Sequence, residues 1–123
     1  SSDLLRLEEF EKAIAAFDAV AKRFPGDTVH TPSAYVAIGE MRFDMERYEE
    51  ARQAFSVAAN KYQTQPDIRC AGLWGLGRCF EKEGEREKAT VQYKAVVDEF
   101  QNSTDPAIRR IVTEARTRYR MVR

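Results

Sequence analysis

Residues 48–62, YEEARQAFSVAANKY, form the middle one of three gap-free copies of a single pattern. FEKAIAAFDAVAKRF (residues 10–24) precedes this copy and REKATVQYKAVVDEF (residues 86–100) follows it, so each copy is displaced by 38 residues from the last. Two columns share their side chains: Ala13, Ala51 and Ala89 in one, and Phe17, Phe55 and Tyr93 in the other. The apolar columns recur at intervals of four, three and four residues, which places them on one face of an α-helix. The chain is therefore predicted to be a helical repeat array.

A second helical segment precedes each of the last two copies at the same offset. Ile38-Gly39 and Leu76-Gly77 occupy matching positions in these segments. Thr31-Pro32 is predicted to open the first segment, with Thr31 as the N-cap and Pro32 in the first turn. Gly84 follows the second segment and is predicted to adopt a left-handed C-cap conformation. The repeating unit is thus a helix, a tight turn, a second helix and a loop.

The chain closes with one more amphipathic helix. Asp105-Pro106 provides a cap and a first turn. Its apolar stripe consists of Ile108, Ile111, Val112, Ala115, Tyr119 and Val122. A helix with one polar face at the end of an array is predicted to be a cap. No β-strand is predicted anywhere in the chain, because apolar and polar residues do not alternate with a period of two.

These patterns predict an all-α fold, an α-α superhelix of antiparallel helix pairs with a C-terminal capping helix. The predicted units are a partial first repeat (1–26), a second repeat (32–64), a third repeat (66–102) and the cap (105–123). By the 38-residue offset, residues 1–7 correspond to the last half of a separate first helix, with Leu4, Leu5 and Leu7 covering the helix that follows. We therefore expect the chain to be a fragment of a longer protein.

Composition and charge limit the classes of function. The 123 residues allow a single domain, and 20 basic side chains balance 20 acidic ones. A neutral chain is a poor candidate for a general nucleic-acid binder, and no apolar run approaches the roughly 20 residues of a membrane span. Residues 105–123 nevertheless carry six arginines against two acids, while the other 104 residues have a net charge of −4. This basic end is interpreted either as an exposed capping face or as a docking site for an acidic segment.

The residues with reactive side chains give no catalytic or metal-binding constellation. His30 is the single histidine and is expected to be a solvated loop residue. Cys70 and Cys79 lie nine residues apart, which at about 100° per residue places them on opposite faces of one helix, so they cannot bridge each other. They are expected to be small, partly buried apolar residues. The glycines of CAGLWGLGRCF (residues 70–80) lack the spacing of a phosphate loop. Gly72 and Gly75 are predicted to meet another helix or a ligand backbone. No cofactor, no metal and no enzymatic activity are expected.

The alternation of helices with small residues resembles the tetratricopeptide repeat family. Ile38-Gly39 and Leu76-Gly77 match the Leu-Gly pair of its first helix, and Ala51, Phe55 and Ala58 match the pattern of its second. The offset of 38 departs from the family period of about 34, and Gln63 and Gln101 replace the closing proline. KRFPGD (residues 22–27) and SAYVAIGEMRF (residues 33–43) are further similar to the repeats of bacterial envelope proteins. Unpaired thiols instead favour a reducing cytoplasm, so the periplasm or cell envelope and the cytoplasm both stay open.

The resemblance implies that the first helices of the units line a concave groove that binds a peptide or a partner protein. Alignment of the repeats assigns eleven residues to this groove: Val36, Glu40 and Phe43; Trp74, Arg78 and Glu81; and Arg109, Val112, Arg116, Tyr119 and Arg120. Trp74 is the first of these to test, jointly with Arg116, because Trp and Arg are frequent at binding hot spots. Some members of the family bind the terminal carboxylate of a peptide with a clamp of Lys, Asn and Arg side chains. In this chain Glu40 and Trp74 occupy positions where such side chains would be needed, so this activity is not expected.

The expected function is therefore a non-catalytic scaffold for protein–protein interaction. One alternative is homo-oligomerisation, through Leu4, Leu5 and Leu7 or through the capping stripe. RNA binding is a third and less favoured possibility, because the body of the chain is acidic.

Overall fold

A computed structural model describes residues 2–123, and Ser1 lies outside the described residues. The described chain consists of six α-helices and contains no strand. They are α1 (Ser2–Arg23), α2 (His30–Asp44), α3 (Tyr48–Lys61), α4 (Pro66–Lys82), α5 (Arg86–Phe100) and α6 (Pro106–Val122). This arrangement confirms the prediction of an all-α helical repeat fold.

The six helices form two layers. Each helix packs against the next one in the chain, and α4 also contacts α2 and α6. In residues 2–123, the backbone of α3 does not come as close to the backbone of α1 or of α5. The α2, α4 and α6 layer is therefore the tighter one, and this difference in spacing makes it the concave side of the array.

Equivalent tight turns join the helices of the second and third repeats. Gly84 has a φ of +78°, which confirms its predicted left-handed conformation, and Glu46 occupies the same position 38 residues earlier with a φ of +61°. A left-handed backbone costs a residue with a Cβ roughly 1–2 kcal/mol. The second repeat therefore closes its turn at a cost that the third repeat avoids.

The predicted N-cap of α2 is wrong. The helix begins at His30, so Thr31 already lies inside it, where its buried hydroxyl donates to the Phe24 carbonyl oxygen at 2.5 Å. Asp27 supplies the missing acceptor: its Oδ1 accepts from the backbone N–H of Val29 at 2.8 Å and of His30 at 2.6 Å. These hydrogen bonds lower the pKa of Asp27 to about 2, and the bond from the Val29 N–H has the largest effect.

The predicted break near the start of the chain is also wrong. α1 runs without interruption from Ser2 to Arg23, so Leu4, Leu5 and Leu7 extend this helix instead of covering it. Leu4 and Leu5 are 68% and 62% exposed. The offset places a turn at residues 6–9, RLEE, and Arg, Leu and Glu all favour a continuing helix.

Glycines let the helices approach closely around the core. The ring of Phe55, which is fully buried, lies against Gly39 of α2 and Gly75 of α4, and the ring of Tyr93 lies against Gly77. A Cβ on Gly72 would lie 2.5 Å from the Ala59 backbone nitrogen of α3. Contact with another helix is thus the reason for Gly72 and Gly75, which the sequence left open.

The two cysteines lie in this core as free thiols. Cys70 and Cys79 are unbridged, as predicted, and they are completely buried where only partial burial was expected. Burial raises the pKa of both thiols to about 12, so neither is a thiolate at neutral pH. Protection by packing explains their unpaired state without reference to the redox conditions of a compartment.

Candidate functional site

A cavity of about 470 Å³ lies on the inner layer, and we call it the groove cavity. It lies between α2, α4 and α6, above α5. Its lining residues are Phe43, Trp74, Arg78, Glu81, Lys82, Tyr93, Thr113, Glu114, Thr117 and Arg118. A volume in this range is typical of sites that bind small ligands or side chains.

Aromatic rings from three helices form the apolar part of the groove cavity. Trp74 of α4 lies over Tyr93 of α5, with ring centroids 5.5 Å apart and planes inclined by 45°. Phe43, at the end of α2, packs edge-on against Tyr48 at 5.4 Å. Tyr93 is completely buried, whereas Phe43 and Trp74 are half-buried and so offer surface to a ligand.

Arg78 occupies the centre of this aromatic group. Its guanidinium carbon lies 4.7 Å from the Phe43 ring centroid and 5.3 Å from that of Trp74, which are cation–π distances. The guanidinium also forms an ion pair with Glu40 of α2. Arg78 therefore links α2 to α4, and its charge is already balanced within the chain.

Glu81 forms the corresponding link between α4 and α6. Its Oε1 accepts from the Tyr93 hydroxyl at 2.8 Å and from Arg118 Nε at 3.0 Å, and its Oε2 pairs with the same guanidinium. Burial by itself would raise the pKa of Glu81, but the bonds from Arg118 and Tyr93 outweigh burial and lower it. Burial and the Glu81 bond raise the pKa of Tyr93. At neutral pH the carboxylate is charged and the phenol is protonated.

The structure brings together four of the residues that register assigned to the groove on α2 and α4. Phe43, Trp74, Arg78 and Glu81 all line the cavity. Glu40 does not line the cavity, but it holds Arg78. Val36 lies elsewhere, packed against the small core cluster of Ala58, Tyr62 and Ile68.

On α6, the face assigned to the groove is not the face that lines it. Val112 is buried in the main core, and Arg109 does not line the groove cavity. Arg116, Tyr119 and Arg120 instead line a separate cavity of about 260 Å³ between α5 and α6. The five α6 residues that the repeat register assigned to the groove therefore do not line the groove cavity: Arg109, Val112, Arg116, Tyr119 and Arg120.

A change of register explains this difference. α4 begins at Pro66 and α6 at Pro106, an offset of 40 instead of 38. Two extra residues rotate a helix face by about 200°. With an offset of 40, Trp74 corresponds to Glu114 and Arg78 to Arg118, both of which line the cavity. The Pro66 and Pro106 pair was the signal in the sequence that could have found Thr113, Glu114, Thr117 and Arg118.

The described residues offer no metal site. Within residues 2–123 no three His, Cys, Asp or Glu side chains are grouped so that they could hold an ion. His30 is exposed, and its Nδ1 lies 3.2 Å from Asp27 Oδ2. None of the helices described here combines the length and the apolar character that crossing a membrane requires.

Comparison with known proteins agrees with this architecture. A family model for the tetratricopeptide repeat matches residues 1–66, and a second tetratricopeptide repeat model matches residues 71–103. No curated protein matches the chain. The matched residues cover more than half of the sequence and include all three copies of the pattern. The chain therefore belongs to the tetratricopeptide repeat family, whose repeats generally mediate protein–protein interaction and typically act as non-catalytic scaffolds.

Proposed function

We propose that this chain is a non-catalytic scaffold that binds a segment of a partner protein in the groove cavity through an apolar anchor side chain. The observation that carries this proposal is the pair of half-buried rings, Phe43 and Trp74, that line a cavity of about 470 Å³. Aromatic surface in a concave site gains free energy when it is removed from water.

The charges around the cavity favour an apolar anchor over an acidic one. Arg78 is paired with Glu40, and Arg118 is paired with Glu81. A carboxylate from a partner would have to compete with both internal pairs. The main gain on binding is therefore expected from apolar area, and the affinity should depend only weakly on salt.

The α6 wall of the cavity can add hydrogen bonds. The Thr113 hydroxyl donates to the Arg109 carbonyl at 3.0 Å, and the Thr117 hydroxyl donates to the Thr113 carbonyl at 3.2 Å. Each hydroxyl oxygen keeps lone pairs that can accept a further bond. Backbone N–H groups of a bound segment are suitable donors, which favours a peptide over a purely apolar ligand.

A test of this proposal removes the anchor surface and separately fills the cavity. Peptides selected from a random-peptide phage library against the full chain should share an apolar or aromatic side chain. Trp74→Ala should weaken their binding by about 2 kcal/mol, roughly thirtyfold in Kd. Thr117→Phe should weaken it as well by occupying the space.

The matched controls lie outside the cavity. Phe24→Ala removes an aromatic ring that is 52% exposed, and Thr64→Phe adds one in an exposed loop. Both controls should bind the selected peptides as the parent does, with unchanged far-ultraviolet circular dichroism. Peptides that bind equally well to Trp74→Ala and Thr117→Phe would exclude the cavity as the binding site. Arg116 no longer belongs in this test, because it lies outside the cavity.

Self-association is a second candidate function, favoured by one observation. Leu5, Phe17 and Phe24 of the first repeat are 62%, 38% and 52% exposed, so a second copy could bury this surface. The capping stripe offers no such route, because Ile108, Val112, Ala115 and Val122 are already in the core. Solution mass that rises with protein concentration, and that falls again with Leu5→Glu, would support this candidate.

The narrower resemblance to bacterial envelope repeats stays a prediction. Its two segments have structural roles here: residues 22–27 form the end of α1 and the turn that follows, and residues 33–43 form most of α2. RNA binding is disfavoured by the net charge of −4 on residues 1–104.

A further inference from the structure

The arginines of this chain divide into two groups according to their partners. Every arginine among residues 2–104 contacts a carboxylate, a backbone carbonyl or an aromatic ring of the chain itself. The contacts of this group are made by Arg6, Arg23, Arg42, Arg47, Arg52, Arg69, Arg78 and Arg86. In the described residues, the guanidinium groups of Arg109, Arg116 and Arg120 make none of these contacts, and that of Arg123 contacts only the Tyr119 ring. Arg110 also has no such contact, but it lies about 100° from Arg109 around α6 and is not grouped with these four.

These four arginines share one flank of α6, which we call the arginine stripe. The intervals of seven, four and three residues place Arg109, Arg116, Arg120 and Arg123 within about 60° of one another around the helix. Arg118, which lines the groove cavity, points about 180° away from Arg109. The arginine stripe and the groove cavity are therefore on opposite flanks of α6.

The second cavity, of about 260 Å³, adjoins the arginine stripe. Its lining residues are Lys94, Val97, Asp98, Arg116, Tyr119, Arg120 and Arg123. Lys94 and Asp98 neutralise each other at 2.6 Å, and Arg123 lies over the Tyr119 ring at 5.4 Å. Three arginines thus give this cavity its net positive charge, while Val97 and Tyr119 give it an apolar wall.

We propose that the arginine stripe is a second docking surface, separate from the groove cavity, for an acidic protein segment that also carries an apolar side chain. The acidic groups would pair with Arg116 and Arg120, which have no ion-pair partner in the described chain. The apolar side chain would occupy the cavity against Val97 and Tyr119. Complementary charge of this kind raises the rate of association and selects the partner.

A protein segment fits this surface better than a nucleic acid or an anionic membrane. The positive charge is confined to one helix, since residues 1–104 carry a net charge of −4. A long polyanion or a membrane surface would extend over this acidic body and be repelled by it. The apolar wall of the cavity would also gain no favourable contact from a phosphate backbone.

The experiment measures fluorescence anisotropy of a labelled synthetic peptide of alternating Glu and Leu, titrated with the full chain. The peptide should bind in low salt and lose affinity at about 1 M NaCl, where the Debye length is about 3 Å. The same peptide with Gln in place of Glu should bind at least about tenfold more weakly.

Charge reversal locates the binding site. Arg116→Glu with Arg120→Glu should weaken binding of the Glu-Leu peptide by about tenfold or more, and Arg116→Gln with Arg120→Gln should give a smaller loss. Lys12→Glu with Lys88→Glu changes the net charge equally but lies elsewhere, so it should change the affinity by less than about twofold. Thermal unfolding should confirm that each variant is folded.

Three results would overturn the proposal. Equal losses in the Arg116/Arg120 and Lys12/Lys88 reversals would attribute binding to net charge alone. Tighter binding of a single-stranded RNA or of phosphatidylserine vesicles, also lost on reversal of Arg116 and Arg120, would assign the surface to another class of polyanion. If Trp74→Ala abolished binding of the Glu-Leu peptide, the binding site of the peptide would be the groove cavity. Retained binding in that variant would show that the two surfaces are separate.

Discussion

Phe17 of α1 and Phe55 of α3 occupy the same column of the repeat, but only one of them is buried. Phe17 is 38% exposed, whereas Phe55 is completely inaccessible to solvent. Phe55 lies between Gly39 of α2 and Gly75 of α4. Among the described helices, only α2 packs against α1, so Phe17 has a neighbour on one side alone.

This difference shows that the burial of a repeat position is determined by the helices stacked beside it and not by the repeat sequence. The first and second copies have the same Ala and Phe in the same columns, and the pattern predicts the same burial for both. In a solenoid the stabilising free energy comes from interfaces between neighbours, so a copy with a neighbour on one side alone receives less of it. Three experiments test this interpretation, in order of expected effect.

Truncation of the two phenylalanines should give the largest contrast. Phe55→Ala removes a fully buried ring and should lower the free energy of unfolding by about 3–5 kcal/mol. Phe17→Ala should cost about 1 kcal/mol, because much of its ring is already in water. Urea denaturation followed by circular dichroism measures both values.

A second substitution guards against complete unfolding of Phe55→Ala. Phe55→Leu keeps most of the apolar volume and should cost less than the alanine variant. If Phe17→Ala proved as destabilising as Phe55→Ala, burial would not depend on helices at both sides, and the comparison would fail.

Glycine at the helix contacts gives the second contrast. Ala34 of α2 occupies the column of Gly72 in α4 and is buried, with its Cβ accommodated. A Cβ on Gly72 would meet the backbone of α3, which cannot move aside as a side chain could. Gly72→Ala should therefore lower stability by about 1–2 kcal/mol, even though alanine is favoured over glycine in a helix by about 1 kcal/mol.

The control for Gly72→Ala is a glycine with open surroundings. Nothing lies within 4 Å of a Cβ on Gly26, so Gly26→Ala should leave the unfolding midpoint in urea almost unchanged. A gain in stability from Gly72→Ala would show that α3 and α4 can separate without loss.

Tyr93→Phe has the smallest expected effect on stability. It gives the third copy the phenylalanine that the second copy has in this column. The substitution removes the hydrogen bond to Glu81 and should cost about 1 kcal/mol at neutral pH. In the parent, Glu81 has a lowered pKa when folded, so its contribution is complete above the ordinary value of 4.5 and is lost as the pH falls through the folded value. Without the Tyr93 bond the pKa is lowered less, so this loss should be smaller.

Thermal unfolding measured between neutral and acidic pH checks this expectation. Phe55→Leu provides a control that alters an aromatic position without touching a titrating group. Parallel pH profiles for the parent and Tyr93→Phe would show that the hydroxyl does not influence the carboxylate.

Much of the fold and part of the candidate site could be predicted from the sequence. The 38-residue offset places Gly39, Gly77 and Gly84 correctly, because packing and turn geometry repeat with the pattern. Phe43, Trp74, Arg78 and Glu81 share a surface for the same reason. The ionic links from Arg78 to Glu40 and from Arg118 to Glu81 could not be predicted, since they join side chains of different helices.

The sequence by itself determined that the chain is a stack of helical hairpins, because apolar periodicity and small residues act locally on each helix. Only the tertiary structure decided between the two registers that the sequence offers for α6, the 38-residue repeat and the 40-residue spacing of Pro66 and Pro106. Two additional residues before Pro106 rotate that helix by about 200° relative to the repeat register. Core packing of Val112 and Ala115 fixes this rotation, and it turns Arg116 and Arg120 away from the groove cavity and toward α5.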